Sequence, residues 1–102
     1  MINALKGYLG ICRKANYLVI GSDNLKSFKK KLYLVIVNKE YSMGVQKIFE
    51  NLYKNYNIPI ISLINENLGE LISIENCQIV AIRNKGLSDK ILSLETEYKV
   101  ER

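Results

Sequence analysis

Leu32-Tyr33-Leu34-Val35-Ile36-Val37 decides the fold. A continuous apolar run rich in branched side chains and too short for most helices is how a strand covered on both faces reads, so this segment marks a central strand. On its C-terminal side, beyond Ser42, the residues Val45, Ile48, Phe49, Leu52 and Tyr56 follow a 3.6-residue period that stops before Asn57 and the single proline, Pro59. A strand is expected over 60–63. Asn65 is placed to cap a helix carrying Leu68, Leu71 and Ile72, residues 77–82 read as another strand, and Leu87, Ile91 and Leu92 mark a last helix before the charged tail at 95–102.

On the N-terminal side, Leu5, Leu9 and Cys12, flanked by Tyr8 and Ala15, repeat at helical spacing from about Asn3 and leave Lys6, Arg13 and Lys14 off the stripe. Asn16 tolerates the left-handed conformation that closes helices, and Tyr17-Leu18-Val19-Ile20 reads as a short buried strand ending at Gly21. Ser22, Asp23 and Asn24 are N-cap types for a short basic helix over 25–31, with Leu25 and Phe28 on one side and Lys26, Lys29 and Lys30 on the others. This strict alternation of helices and short apolar strands predicts the α/β class: a three-layer α/β/α sandwich with a mostly parallel central sheet of about four strands. The 102 residues make a single domain, 1–102, with no internal repeat, low-complexity stretch or linker that would divide it.

Composition removes many functions. Histidine is absent, so imidazole acid/base work, histidine metal ligation and Ser-His or Cys-His nucleophiles are unavailable to the isolated chain. No run reaches the ~18 apolar residues of a membrane span, and the stretch Met1-Ile2-Asn3-Ala4-Leu5-Lys6-Gly7 lacks the order of a secretory signal, so a cytoplasmic protein is expected. Cys12 and Cys77 each lie inside an apolar period and read as core thiols, with a redox pair as the alternative. Gly7 and Gly10 fall on the first helix, and no phosphate-cradling glycine motif follows a strand. Glu66, Glu70, Glu75 and Asp89 are spaced as solvent-facing residues, and Tyr8, Tyr53 and Tyr56 as packing residues near helical stripes. No catalytic or metal site, cofactor or small-molecule substrate is therefore expected.

The charge is uneven. Residues 1–54 carry ten Lys/Arg against three acids, and residues 55–102 carry five against seven. A basic half suggests a face for a polyanion, although a solvated lysine face reads the same way. The basic residues gather where a strand end meets a helix start: Gly21-Ser22-Asp23-Asn24, then Lys26, Lys29, Lys30 and Lys31. Helix-terminal amides attract phosphate, short polar side chains reach base edges and lysines neutralise backbone charge, so these are parts of an RNA-binding edge; a plain capped helix with a basic face has the same parts.

Five segments in order carry a family resemblance over residues 9–94: Leu9-Gly10-Ile11-Cys12-Arg13-Lys14-Ala15-Asn16-Tyr17-Leu18-Val19-Ile20-Gly21, the strand at 32–37, Asn57-Ile58-Pro59-Ile60, Leu68-Gly69, and Val80-Ala81-Ile82-Arg83-Asn84-Lys85-Gly86. In these the chain resembles the kink-turn-binding ribosomal protein family, and within it the short stand-alone bacterial proteins more than the archaeal large-subunit protein that also serves in box C/D particles. The resemblance implies an α/β/α sandwich that docks structured RNA, a kink-turn or ribosomal RNA, through two places. The first is the strand-to-helix junction, here Gly21, Ser22, Asp23, Asn24, Lys26, Ser27, Lys29 and Lys30. The second is the loop before the Leu-Gly helix, here Ile64 and Asn65, one residue shorter than the family pattern.

Family members commonly read Gly, a small or polar residue, Asn, Glu or Gln, two variable residues and Lys at the junction, where these side chains read tandem sheared G·A pairs. This chain departs at Asp23, Asn24 and Ser27. A carboxylate only accepts hydrogen bonds, and the Hoogsteen edge of guanine offers only acceptors, so Asp23 loses or opposes that contact. Asn24 retains donor and acceptor, Ser27 removes a cation, and shifting the register by one sets Phe28 at the lysine position. The expected function is thus a non-enzymatic RNA-binding protein of the translation machinery, a ribonucleoprotein component that meets the ribosome. The alternative is a diverged member without kink-turn specificity, acting as a protein-interaction or accessory ribosome-associated module.

Overall fold

A computed structural model of the chain describes residues 4–94 and 98–100. Ten elements follow one another: α1 (Ala4–Lys14), β1 (Leu18–Ile20), α2 (Ser22–Ser27), β2 (Leu34–Val37), α3 (Met43–Tyr56), β3 (Ile60–Leu63), α4 (Leu68–Ile72), β4 (Ile79–Ile82), α5 (Lys85–Leu92) and β5 (Tyr98–Val100). The chain is an α/β domain built on one sheet with the order β1-β4-β2-β3, which β5 extends at the β3 edge.

The helix stops follow from local chemistry. After α1, Asn16 takes φ 62°, and the Tyr17 amide donates back to the Cys12 carbonyl at 2.8 Å, the closure that left-handed residues make. At the start of α3 the Ser42 hydroxyl accepts from the Val45 amide, and at its end Asn57 turns left-handed at φ 56° just before Pro59. Asn67 and Asn84 cap α4 and α5 by accepting from Glu70 and Leu87. The cap expected at Asn65 thus belongs to Asn67, two residues later, and Asn65 stands in the preceding bend.

Strand alternation sorts the apolar side chains to the two faces of the sheet. On one face Leu34 and Ile36 of β2 and Ile61 and Leu63 of β3 pack with α1, α4 and Ile91 of α5. On the other, Val35 and Val37 of β2 and Ile60 of β3 pack with Leu25 of α2 and with Val45 and Phe49 of α3. Every residue of β2 is fully buried, as the apolar run predicts.

The sheet is mixed, which corrects the expectation of mostly parallel strands. Only β2 with β3 is a parallel pair; β1 with β4, β2 with β4 and β3 with β5 are antiparallel. The physical reason lies in helix length. The 14 residues of α3 rise ~21 Å, enough to carry the chain from the end of β2 back to the start of β3. The five residues of α4 rise only ~7.5 Å, less than the ~13 Å of a four-residue strand, and Ser73 and Asn76, both with positive φ, then turn the chain. The next strand therefore enters at the end where β3 finished and runs antiparallel between β1 and β2. Residues 98–100, within the expected tail, form β5; the rest of that tail and residues 1–3 lie outside the described residues.

Candidate functional site

The strands β1, β2 and β3 all finish at the same end of the sheet, where β4 begins. The two places implicated from sequence, the segment after Gly21 and the loop at Ile64 and Asn65, both leave from this end. Gly21 and Ile64 follow β1 and β3, three strand spacings apart, or ~14 Å. Hydrogen bonds cross the gap. The Gly21 amide donates to the Ile79 carbonyl at 3.0 Å, and the Asn38 amide to the Gln78 carbonyl at 2.8 Å. The Gln78 side-chain oxygen accepts from the Ser42 amide at 2.8 Å. The buried Asn38 side chain accepts from the Leu68 amide at 3.0 Å, and the Lys39 ammonium reaches the Asn65 carbonyl at 3.5 Å.

Beside the first of the two segments lies a polar cleft of about 440 Å³, lined by Gly21, Ser22, Asp23 and Asn24 and by Ser42, Asn76 and Gln78. Apolar side chains stand exposed at the same end of the sheet: Ile64 at 52% and Met43, the first residue of α3, at 70%. The surface there combines hydrogen-bonding groups with exposed apolar side chains.

The junction helix differs from its expected form. It begins at Ser22 rather than Leu25 and ends at Ser27 rather than Lys31, with Gly21 as its N-cap and no side-chain cap. Gly21 adopts φ 88° and ψ 157°, a conformation closed to residues with a Cβ, and this lets the helix start immediately after the strand. Phe28 turns extended at φ −74° and ψ 126°, where its ring packs on the second core cluster and under Arg83, 5.3 Å away. Ser22, Asp23 and Asn24 are therefore first-turn residues, not caps. The Asn24 amide donates to the Ile20 carbonyl at 2.8 Å, so one of its donors is committed, and the Ser27 hydroxyl bonds back to the carbonyls of Asp23 and Asn24. Six residues make a weak dipole, and Asp23 in the first turn opposes an anion there.

Lys29, Lys30 and Lys31 consequently leave the helix. Lys29 and Lys30 line a shallow depression of about 520 Å³ beside β1, together with Asn16, Asn24, Ser27 and Arg83. They also line, with Lys26 and Lys31, a groove of about 570 Å³ against α3. The basic surface thus continues from the junction along the side of the molecule. Asn38, Lys39 and Gln78 were not singled out from sequence, and each lies within two residues of a strand end, where a side chain reaches the end of a sheet; Arg83 follows β4 at the opposite end. Tyr56, expected in a packing role, is 67% exposed. Cys12 and Cys77 are buried free thiols, and burial pushes both upward, Cys12 to about 11, away from nucleophilic reactivity.

The chain matches no protein-family model and no curated protein sequence. It is similar to a solved structure from Bacillus halodurans, described as a protein with unknown function, with a TM-score of 0.74 and 23% identity over 87% of this chain and 93% of that one. At that identity the likeness shows a shared fold. Among the described residues no helix is long and apolar enough to cross a membrane, and no group of three metal-ligating side chains comes together.

Proposed function

We propose that the protein is a non-enzymatic, cytoplasmic RNA-binding domain of the kink-turn-binding ribosomal type. It docks structured RNA on the sheet end that carries Gly21, Ser22, Asp23 and Asn24 together with Ile64 and Asn65. The observation that carries this reading is the convergence of the two segments on one end of the sheet, with a polar cleft beside the first and exposed Ile64 in the second. Helices on both faces of the sheet fit the sandwich that the family resemblance implies. Lys39, Lys29 and Lys30 are the cations available to flanking phosphates, and Asn24 retains an acceptor and a donor for a base edge. In this reading the protein works as a ribosome- or translation-associated component.

Asp23 favours a second reading of the same surface, in which RNA is held through phosphates with little discrimination of the G·A pairs. Its carboxylate lines the cleft where a donor is needed. Asp23→Asn tests the mode of docking: anisotropy of a labelled kink-turn RNA should tighten by about tenfold, or ~1.4 kcal/mol, when the repulsive acceptor becomes a donor. Unchanged affinity would show that the inherited contact is not in use.

A further inference from the structure

The groove between the segment from Lys26 to Leu32 and helix α3 is a basic surface beside the proposed RNA end. Leu25, Leu32 and Ile58 form its floor, each more than nine-tenths buried. Ile48, Leu52 and Tyr56, spaced along one face of α3, form one wall with Asn51. Lys26, Lys29, Lys30 and Lys31 form the other, all exposed, and no carboxylate lines the space. About 570 Å³ is room for a few side chains rather than for a folded element.

We infer that this groove docks an acidic peptide segment of a protein partner, one carrying branched or aromatic anchors between Asp and Glu residues. The chemistry on each wall selects it. Aliphatic floor residues take Leu, Ile or Phe anchors, and four lysines on one rim complement carboxylates flanking them. Stacked bases fit less well, because the floor is aliphatic, the Phe28 ring at the groove is half-buried against the core and under Arg83, and Tyr56 alone presents an exposed ring. The partner and the RNA then occupy different surfaces, sharing only lysines at their border.

The probe is a fluorescein-labelled pool of peptides about twelve residues long in which Asp and Glu alternate with randomised Leu, Ile and Phe. It is titrated against the whole protein by anisotropy, beside a pool with Ser at the apolar positions and with oligouridylate as competitor. The expected result is saturable binding of the first pool and at least tenfold weaker binding of the serine pool. The variant Lys31→Glu with Tyr56→Glu, both at exposed positions away from the sheet end proposed to dock RNA, should also bind the first pool at least tenfold more weakly. Circular dichroism of that variant reports its fold, and Lys31→Glu alone, at about threefold or more loss, supplies the test should the pair fail to fold. Absence of binding, equal binding of the serine pool, or displacement by oligouridylate at lower concentration than by unlabelled peptide would overturn the inference. Kink-turn RNA titrated against the same variant reads the RNA assignment separately, so either can fail alone.

Discussion

Gly69 shows how a single residue holds the candidate site together. A Cβ at this position would stand 2.5 Å from the Ile74 carbonyl oxygen, because Ser73 turns left-handed and folds the chain back over α4. Only glycine admits that approach, and α4 in turn anchors the loop at Ile64 and Asn65. Gly69→Ala should destabilise the protein by about 2 kcal/mol or more, read as a lower urea midpoint, since a backbone atom must shift. Cys12 makes a prediction in pH. Its thiol ionises at about 11 in the fold against an ordinary value of 9.0, because burial disfavours the thiolate. The stability this contributes is complete below pH ~9 and is lost as pH rises toward ~11, where the unfolded chain ionises first. Iodoacetamide at pH ~8 should leave Cys12 unmodified in the native protein and label it fully in denaturant; rapid native labelling would contradict the burial.

At the level of elements, the long helix was legible and the short one was not. A 3.6-residue stripe, a serine cap, an asparagine stop and Pro59 all agree over α3, which starts at Met43 and ends at Tyr56. For α2 the sequence offers Ser22, Asp23 and Asn24 as three possible caps, and none serves. Its bounds are set by the positive φ of Gly21 and by the burial of the Phe28 ring, both tertiary outcomes. Likewise the cap expected at Asn65 falls at Asn67, and the hydrogen bond from the Leu68 amide to Asn38 fixes where α4 begins. Of the candidate site, the junction is named from its residues and the loop at Ile64 and Asn65 only through the family resemblance, while the bridging residues Asn38, Gln78 and Lys39 are not named, since they become neighbours only through strand order. Asn38→Ala strands the buried Leu68 amide and should cost about 1–3 kcal/mol by urea unfolding, with faster hydrogen exchange in α4 than elsewhere. A loss spread evenly over the molecule would assign Asn38 a different role.

For the molecule as a whole, the alternation of elements gave the α/β class, whereas strand direction depended on the lengths of α3 and α4 measured against the sheet. Inserting β4 antiparallel between β1 and β2 sets Gln78 and Ile79 beside Gly21 and so builds the polar cleft. Charge acts at the same scale. Lys29 and Lys30 lie beside β1, where they border the junction. Replacing both by alanine should weaken RNA binding for all sequences alike and reduce the slope of log affinity against log salt by about 1–2, since each phosphate contact contributes ~0.7–0.9.

The central claim is that the sheet end carrying Gly21–Asn24 and Ile64–Asn65 reads structured RNA. The most direct measurement is a calorimetric titration of the protein with a kink-turn RNA and with the same RNA whose tandem G·A pairs are replaced by Watson–Crick pairs, at two salt concentrations. The account predicts binding to the first and at least a tenfold loss, ~1.4 kcal/mol, on the second at both salts. Equal and steeply salt-dependent affinities, or binding to neither RNA, would contradict it.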